Sequence, residues 1–302
     1  MKNKYLTTKS VLSALLLASS LITFGCASEA VDEVEADNNE VVDNLLAAGI
    51  APEDIEIRET SMVSLVGKQY MLSESVPQVF IDGDTHVTLE ASRELVSAAN
   101  PGGEDALKHW RTPSLVTNNR TICLAKVTNA QSPFTSFALT SAMQTGVNRA
   151  RDNFNGLSSF NLTMKTGNAS LNSSGQLSHN ISGCDFSIFI YQVNGGAGGS
   201  AGFPAGGAPF NQVKLNSGLA GFSLDVHEHV ATHEIGHSIG LRHTDWKTRS
   251  SCGQNSNEGQ NGASQISGTP DQTTNSLMAS CFSANSNGEF RGDDAKAFNT
   301  IY

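Results

Sequence analysis

The chain has 302 residues, 38% of them hydrophobic and 16% charged, with a formal net charge of −10. That length and apolar content suffice for a substantial buried core, which excludes a wholly disordered chain, and the acidic balance argues against a nucleic-acid partner. The charge is unevenly placed: residues 28–112 hold 18 acidic against 5 basic side chains, whereas residues 113–302 hold 11 of each.

The start reads as an export signal over residues 1–27. Lys2, Lys4 and Lys9 precede an apolar run from Val11 to Phe24 that is too short to span a bilayer with normal margins. Gly25-Cys26-Ala27 permits cleavage before Ser28, but Gly25-Cys26 also resembles the end of a bacterial lipobox, with Cys26 as the acylated residue. The expected location is extracytoplasmic, secreted or lipid-anchored at the cell surface, with Cys26 as the sole expected membrane attachment.

Residues 28–112 then read as an acidic propeptide. Glu29 to Glu40 is acidic and poor in aromatics, so it is expected to be disordered or loosely held. A short helix is expected near Val41 to Ala48, then strand-like runs at Ile55 to Ile57, Gln78 to Ile81 and His86 to Leu89. Asp82-Gly83 reads as a turn between the last two.

Residues 113–302 are enough for one domain. Arg120 to Val127 reads as a buried first strand, and Phe134 to Phe154 as a helix capped by Ser136 or an earlier Ser/Thr. Leu162 to Lys165 and Asp185 to Val193 read as strands separated by an Asn/Ser/Gly-rich loop. Gly198-Gly199-Ser200-Ala201-Gly202 matches the GxSxG pattern of serine hydrolases. Pro204, Gly206 and Gly207 follow where that pattern needs a helix, so a loop leading into an edge strand is the better reading.

Asp225 to Gly240 is the helix on which the chemistry rests. His233 and His237 lie four residues apart, one turn above the other on one face, so both imidazoles can reach one metal ion. Glu234 projects about 100° further round, beside the ion, as a base acting on metal-activated water requires. Ala231, Ile235 and Ile239 form an apolar stripe on the opposite face. His243 needs a break in the helix to return to the metal, and Gly240 can supply it. His229 sits one turn before His233, but a site beginning there would put Val230 where the glutamate belongs, so it reads as a cleft or helix-face residue. Asp245 reads as a turn cap or as a hydrogen-bond partner of a ligand histidine.

The stretch from His233 to His243 resembles the metzincin signature of zinc endopeptidases, and its HEIGH core is similar to the mostly bacterial HEIGH metallopeptidases. The resemblance implies an α+β fold: a twisted mixed sheet, two long helices and an irregular C-terminal part with a Met-turn and a final helix. Met278, in Ser276-Leu277-Met278-Ala279-Ser280, is then the Met-turn residue, and Ser280 stands where some relatives carry a tyrosine ligand. Ala201 to Phe203 and Gln212 to Leu215 become candidates for the cleft wall, and Asp293 to Tyr302 for the closing helix. Ile81-Asp82-Gly83-Asp84 resembles the aspartate switch of astacin propeptides, which makes Asp84 a candidate zinc ligand in a zymogen. A plain Asp-Gly turn remains the alternative.

Cys123, Cys184, Cys252 and Cys281 form an even set in an exported chain, and three pairings are open. The favoured one joins Cys252 to Cys281 around the Met-turn region and Cys123 to Cys184 between an early and a later strand. The expected protein is a monomeric zinc endopeptidase with one catalytic Zn2+, acting on proteins or peptides, with calcium left open. Two rivals stand beside it: a catalytically idle surface protein held together by zinc, and a zinc hydrolase of a non-peptide substrate.

Overall fold

A computed structural model of the chain describes residues 27–98, 110–255, 264–270 and 273–302, with side chains from residue 37 onward. Cys26 and the apolar run of the expected signal lie outside them. The N-terminal part comprises helix α1 (Ala27–Ala47), strands β1 (Glu56–Val66), β2 (Gln69–Ile81) and β3 (Thr85–His86), and helix α2 (Leu89–Ala98). After β4 (Trp110–Arg111) and β5 (Arg120–Ala130) come α3 (Ser141–Asn155), β6 (Leu162–Leu171), β7 (Gln176–His179) and β8 (Phe186–Val193). The remainder is β9 (Gly199–Gly202), β10 (Gln212–Asn216), α4 (Leu224–Ser238), β11 (Ser264–Gln265) and α5 (Gly292–Ile301).

The result is a mixed α+β architecture around one large sheet. Its strand order is β1-β2-β3-β9-β10-β8-β5-β6-β7, and β7 also pairs with β2, so the sheet closes on itself. At its centre β5 runs parallel to both β6 and β8. Ile122 to Val127 are buried one after another, as expected of a strand covered on both faces. Ile122 and Leu124 point into the core shared with α3 and α4. Ala125 and Val127 point the other way, under Val63 and Leu72 of the β1–β2 hairpin. A third cluster joins Val41 and Leu45 of α1, Val79 and Ile81 of β2 and Leu95 of α2 to Phe203, just beyond β9. The acidic N-terminal part is therefore built onto the sheet.

Several local expectations change. The stretch expected to be disordered, Glu29 to Glu40, lies within α1. That helix continues to residues whose apolar side chains pack on α2, a helix the local pattern did not reveal. The strand-like runs at Ile55 to Ile57 and Gln78 to Ile81 are the ends of a long hairpin of 11 and 13 residues. Phe134 to Phe154 is not one helix. Phe134–Phe137 is a 3-10 turn, and α3 starts after Thr140, whose side chain accepts a hydrogen bond from Met143 N at 3.3 Å. The break follows from the core: Phe134 packs under the hairpin, whereas Met143 packs on the α4 side. β10 does not line the cleft through Gln212 to Leu215, although its last residue, Asn216, does. It lies between β8 and β9 with Gln212 to Leu215 buried, and Gln212 accepts hydrogen bonds from Val63 N at 2.9 Å and from the Tyr191 hydroxyl at 2.7 Å.

The three residues 110–112, read from sequence as the end of the propeptide, pack with the C-terminal half. β4 pairs with β11, Trp110 O accepts from Arg242 N at 2.9 Å, and Thr112 N donates to Gly240 O at 2.8 Å. Trp110 also meets Trp246 edge-on at 4.7 Å. Disulfides join Cys123 to Cys184 and Cys252 to Cys281. Among the described residues no helix is long and apolar enough to cross a membrane.

Candidate metal centre

Ser223 starts α4, its hydroxyl accepting from Val226 N at 3.3 Å, and every residue from Val226 to Ser238 is buried. Ala231, Ile235 and Ile239 face the sheet core, while His233 and His237 face the cleft side. Burial on all sides needs a second covering layer, and residues 276–279 with α5 provide it. Met278 is fully buried, and a Cβ on Gly236 would stand 2.7 Å from its sulfur, so glycine is what lets this loop close against the helix. Helix α4 stops before Gly240, whose φ of +113° turns the chain. His243 is thereby carried back beneath the other two histidines.

The three Nε2 atoms converge: His233 to His237 is 2.9 Å, and each lies 3.2 Å from His243. The Nδ1–H groups of His233 and His237 donate to the carbonyls of Leu277 at 2.9 Å and Leu241 at 2.7 Å. Because those carbonyls can only accept, a neutral imidazole at either position has its lone pair on Nε2, and both Nε2 atoms aim at the same point. Burial first, then His233 and His243, lowers the His237 pKa well below its ordinary value and keeps that ring neutral. Converging lone pairs repel one another unless a cation lies between them. Nitrogens at about 2.0–2.1 Å from a tetrahedral zinc stand about 3.3 Å apart, close to the observed spacings. The residues present therefore fit a metal ion.

Asp84 completes the cluster, and all four ligand atoms lie within 4.8 Å of one another. Its carboxylate stands 3.3 Å from His243 Nε2, 3.7 Å from His233 and 4.0 Å from His237. Burial alone would raise its pKa, but the neighbouring imidazoles, His243 first and then His233 and His237, outweigh it and hold it well below the usual range. Asp84 arrives on the three-residue turn between β2 and β3, where Asp82 and Gly83 both adopt positive φ. The Asp-Gly turn and the approach to the histidines are thus one feature.

Glu234 lies beside this cluster on the wall of a cleft of about 650 Å³ and is itself buried. Burial, and secondarily the Asp84 carboxylate, push its pKa well above the ordinary range. Its Oε2 is buried and has no hydrogen-bond partner among the described residues. His229 also lines the cleft, with Nδ1 bonded to Asn287 O at 2.8 Å, and is not part of the four-residue cluster. Asp245 serves turns: it accepts from Ser251 N and from the amide and hydroxyl of Ser280, each at 2.8 Å. Ser200 lies on β9 with no helix after it, which removes the nucleophile-elbow geometry.

Two contributors are absent from the sequence reading. Asp294, at the start of α5, accepts from Ser276 Oγ at 2.5 Å and Leu277 N at 3.0 Å and so fixes the loop whose Leu277 carbonyl orients His233. Its spacing from Arg291, whose amide it also accepts at 2.9 Å, is that of a helix-capping residue and was the available signal. Arg242 is the other. Its Nη2 lies 3.3 Å from Asp82 Oδ2 with both side chains buried, and nothing local in the sequence marks that pairing.

A mixed α+β domain that gathers two histidines of a buried helix, a third from the turn after it and a carboxylate beside a cleft has the features of a metallopeptidase. Residues 79–302 match the family model described as a dual-action HEIGH metallo-peptidase, and the chain belongs to that family. A search of curated proteins gives no match. Among solved structures, two of myroilysin align at 13% and 14% identity, each covering 62% of this chain. The alignments cover 94% and 84% of those chains, with a TM-score of 0.35 in both cases.

Proposed function

We propose that this chain is an exported zinc endopeptidase of metzincin type, made as a latent precursor. The observation that carries the reading is the convergence of three imidazole Nε2 atoms beside an unpartnered oxygen of Glu234. His233, His237 and His243 would hold the ion, with Met278 packed beneath them as the Met-turn residue. When bound, zinc supplies Lewis acidity, acidifying water and polarising a carbonyl. Glu234 takes the proton from the attacking water and later delivers it to the leaving amine; its raised pKa brings proton affinity closer to neutral pH than an ordinary carboxylate has.

Asp84 occupies the approach to the histidines and blocks it in the precursor, while β3 pairs with β9 where an extended substrate would add as a strand. Activation removes both obstacles. The order of parts is a signal over residues 1–27, an acidic propeptide and a catalytic domain. The packing of Trp110 and Thr112 against the His243 loop favours starting the catalytic domain just before Trp110 rather than at Pro113. Two disulfides, together with the signal, support an extracytoplasmic location.

The test is hydrolysis of casein and of fluorogenic peptides by the full chain and its processed form, with and without chelator. Chelator-sensitive cleavage, faster after processing and reduced about 100- to 10,000-fold by Glu234→Ala at unchanged zinc content, supports the reading. Stoichiometric zinc with every protein and peptide substrate left intact would replace it with the idle-scaffold or non-peptide hydrolase alternative.

A further inference from the structure

The N-terminal segment meets the rest of the chain in two places of different character. Asp84 and β3 stand at the metal cluster, where β3 holds β9 through two residue pairs, Thr85 with Ala201 and His86 with Gly202. The β1–β2 hairpin sits on the face of the sheet away from α3 and α4, and its contact is broader. Val63 and Leu72 are buried with Ala125 and Val127 of β5 and with Phe189 and Tyr191 of β8. The Tyr70 ring lies 4.8 Å from that of Phe189, and Tyr70 and Met71 pair with Leu177 and Gln176 of β7. Polar contacts fix the fit. Asn211 Nδ2 donates to Val63 O at 3.2 Å, Leu72 N to Gly175 O at 2.8 Å, and Ser61 Oγ to the Tyr191 hydroxyl at 3.2 Å.

The strands beneath depend on this cover. β5 runs parallel to β6 and β8, and β10 parallel to β8, and parallel strands occur almost only where both faces are packed. Helices α3 and α4 pack on one face. On the other, Ala125, Val127, Phe189 and Tyr191 are completely buried with the hairpin in place, and its loss would open a contiguous apolar patch. We propose that the hairpin outlasts processing: after a cut on the N-terminal side of Trp110, β1 and β2 stay on the sheet as a second, non-covalently held chain, while the Asp84 turn and β3 clear the cleft. The inference deepens, and rests on, the latent-precursor reading above. The surface is the face of β5, β7 and β8, and its partner is the chain's own N-terminal fragment.

The experiment places an engineered protease site between residues 98 and 110 of the full, zinc-loaded chain and cuts it with the matching added protease, so the result does not depend on the chain's own activity. Size exclusion and native mass spectrometry at about 1 μM are expected to show the two fragments together, one to one, and apart only in urea. Asp84→Ala and Glu94→Ala remove contacts of the fragment at the metal cluster and at Gly206, and should leave the fragments together. Leu72→Ala should raise the dissociation constant by about 30-fold or more, the loss typical of a truncated buried leucine. Active, self-processed protein should carry residues 56–78 through the same column. Wild-type fragments that part without denaturant overturn the inference, whether or not the variants fold, and so does an active fraction that lacks the hairpin. Casein hydrolysis by the same samples separates the two readings. Fragments that stay together in a protein inert on every peptide uphold the hairpin's hold and sink the peptidase, whereas fragments that part in an active protein do the reverse.

Discussion

Asp294→Ala tests whether the loop beneath His233 is held from α5. Among the described residues the carboxylate accepts from Ser276 Oγ, Leu277 N and Arg291 N. Arg291 is exposed and its amide can turn to water, so the cost falls on the two buried donors. Leaving a buried donor unsatisfied costs about 1–3 kcal/mol, which gives about 2–6 kcal/mol for the pair. At about 2–4 °C per kcal/mol for a domain of this size, the melting temperature should fall by roughly 4–24 °C. Asp294→Asn keeps one acceptor oxygen and should lose about half as much. Because Leu277 O orients the His233 ring, zinc affinity should drop as well, by about 10- to 100-fold for an outer hydrogen-bond partner of a ligand. Thermal unfolding by circular dichroism and competition against a calibrated chelator give the two numbers. An alanine variant that melts within about 1 °C of wild type and binds zinc equally would refute the claim that this carboxylate supports the site.

Three other outcomes are expected. Asp84→Ala should speed processing of the full-length chain, followed by the appearance of the shorter form on gels; an unchanged rate removes Asp84 as the latency ligand. Lys214, buried between Thr60 Oγ1 and Gln78 Oε1 of the hairpin, has its pKa lowered to about 7 by burial and, secondarily, by Arg58. Its folded pKa lies below the unfolded one, so above about pH 7 the unfolded chain binds more protons and stability rises with pH towards about 10. Lys214→Met should flatten that rise in urea titrations at pH 7, 8 and 9, and parallel curves for the two proteins would rule it out. Gly236→Ala should cost about 1–3 kcal/mol in the same titrations, because its Cβ would overlap the Met278 sulfur. A neutral result would mean that the loop is free to move away.

The legible part of this protein lies in contacts of short range. His233, Glu234 and His237 are related by helical period alone, and His243 by one bend at Gly240, so their grouping could be read from spacing. The apolar stripe of Ala231, Ile235 and Ile239 likewise follows from the 3.6-residue repeat, and it packs into the sheet core. The same local logic failed where the period was interrupted by a distant partner. Phe134 and Met143 looked like one helix because their spacing fits, but they are drawn into cores on opposite faces of the sheet. The strands of the β1–β2 hairpin looked short because exposed residues interrupt each of them, and their length is set by pairing with one another and, for β2, with β7.

What the tertiary structure alone decided is the company that this motif keeps. Asp82 and Arg242 are 160 residues apart in the chain, Trp110 reaches Arg242 across more than a hundred, and Asp294 reaches Leu277 from the last helix. None of these pairings has a period, because each depends on where two separate backbones are brought by the closing of one sheet and the covering of one helix. The sequence by itself determined which side chains can share a metal ion, since a helix fixes the relative directions of residues four apart. Only the fold decided between Asp84 as a plain turn residue and Asp84 as a neighbour of the histidines, and only the fold set Asp82 against Arg242 and Asp294 against Leu277, since those directions come from packing between parts of the chain that no local rule connects.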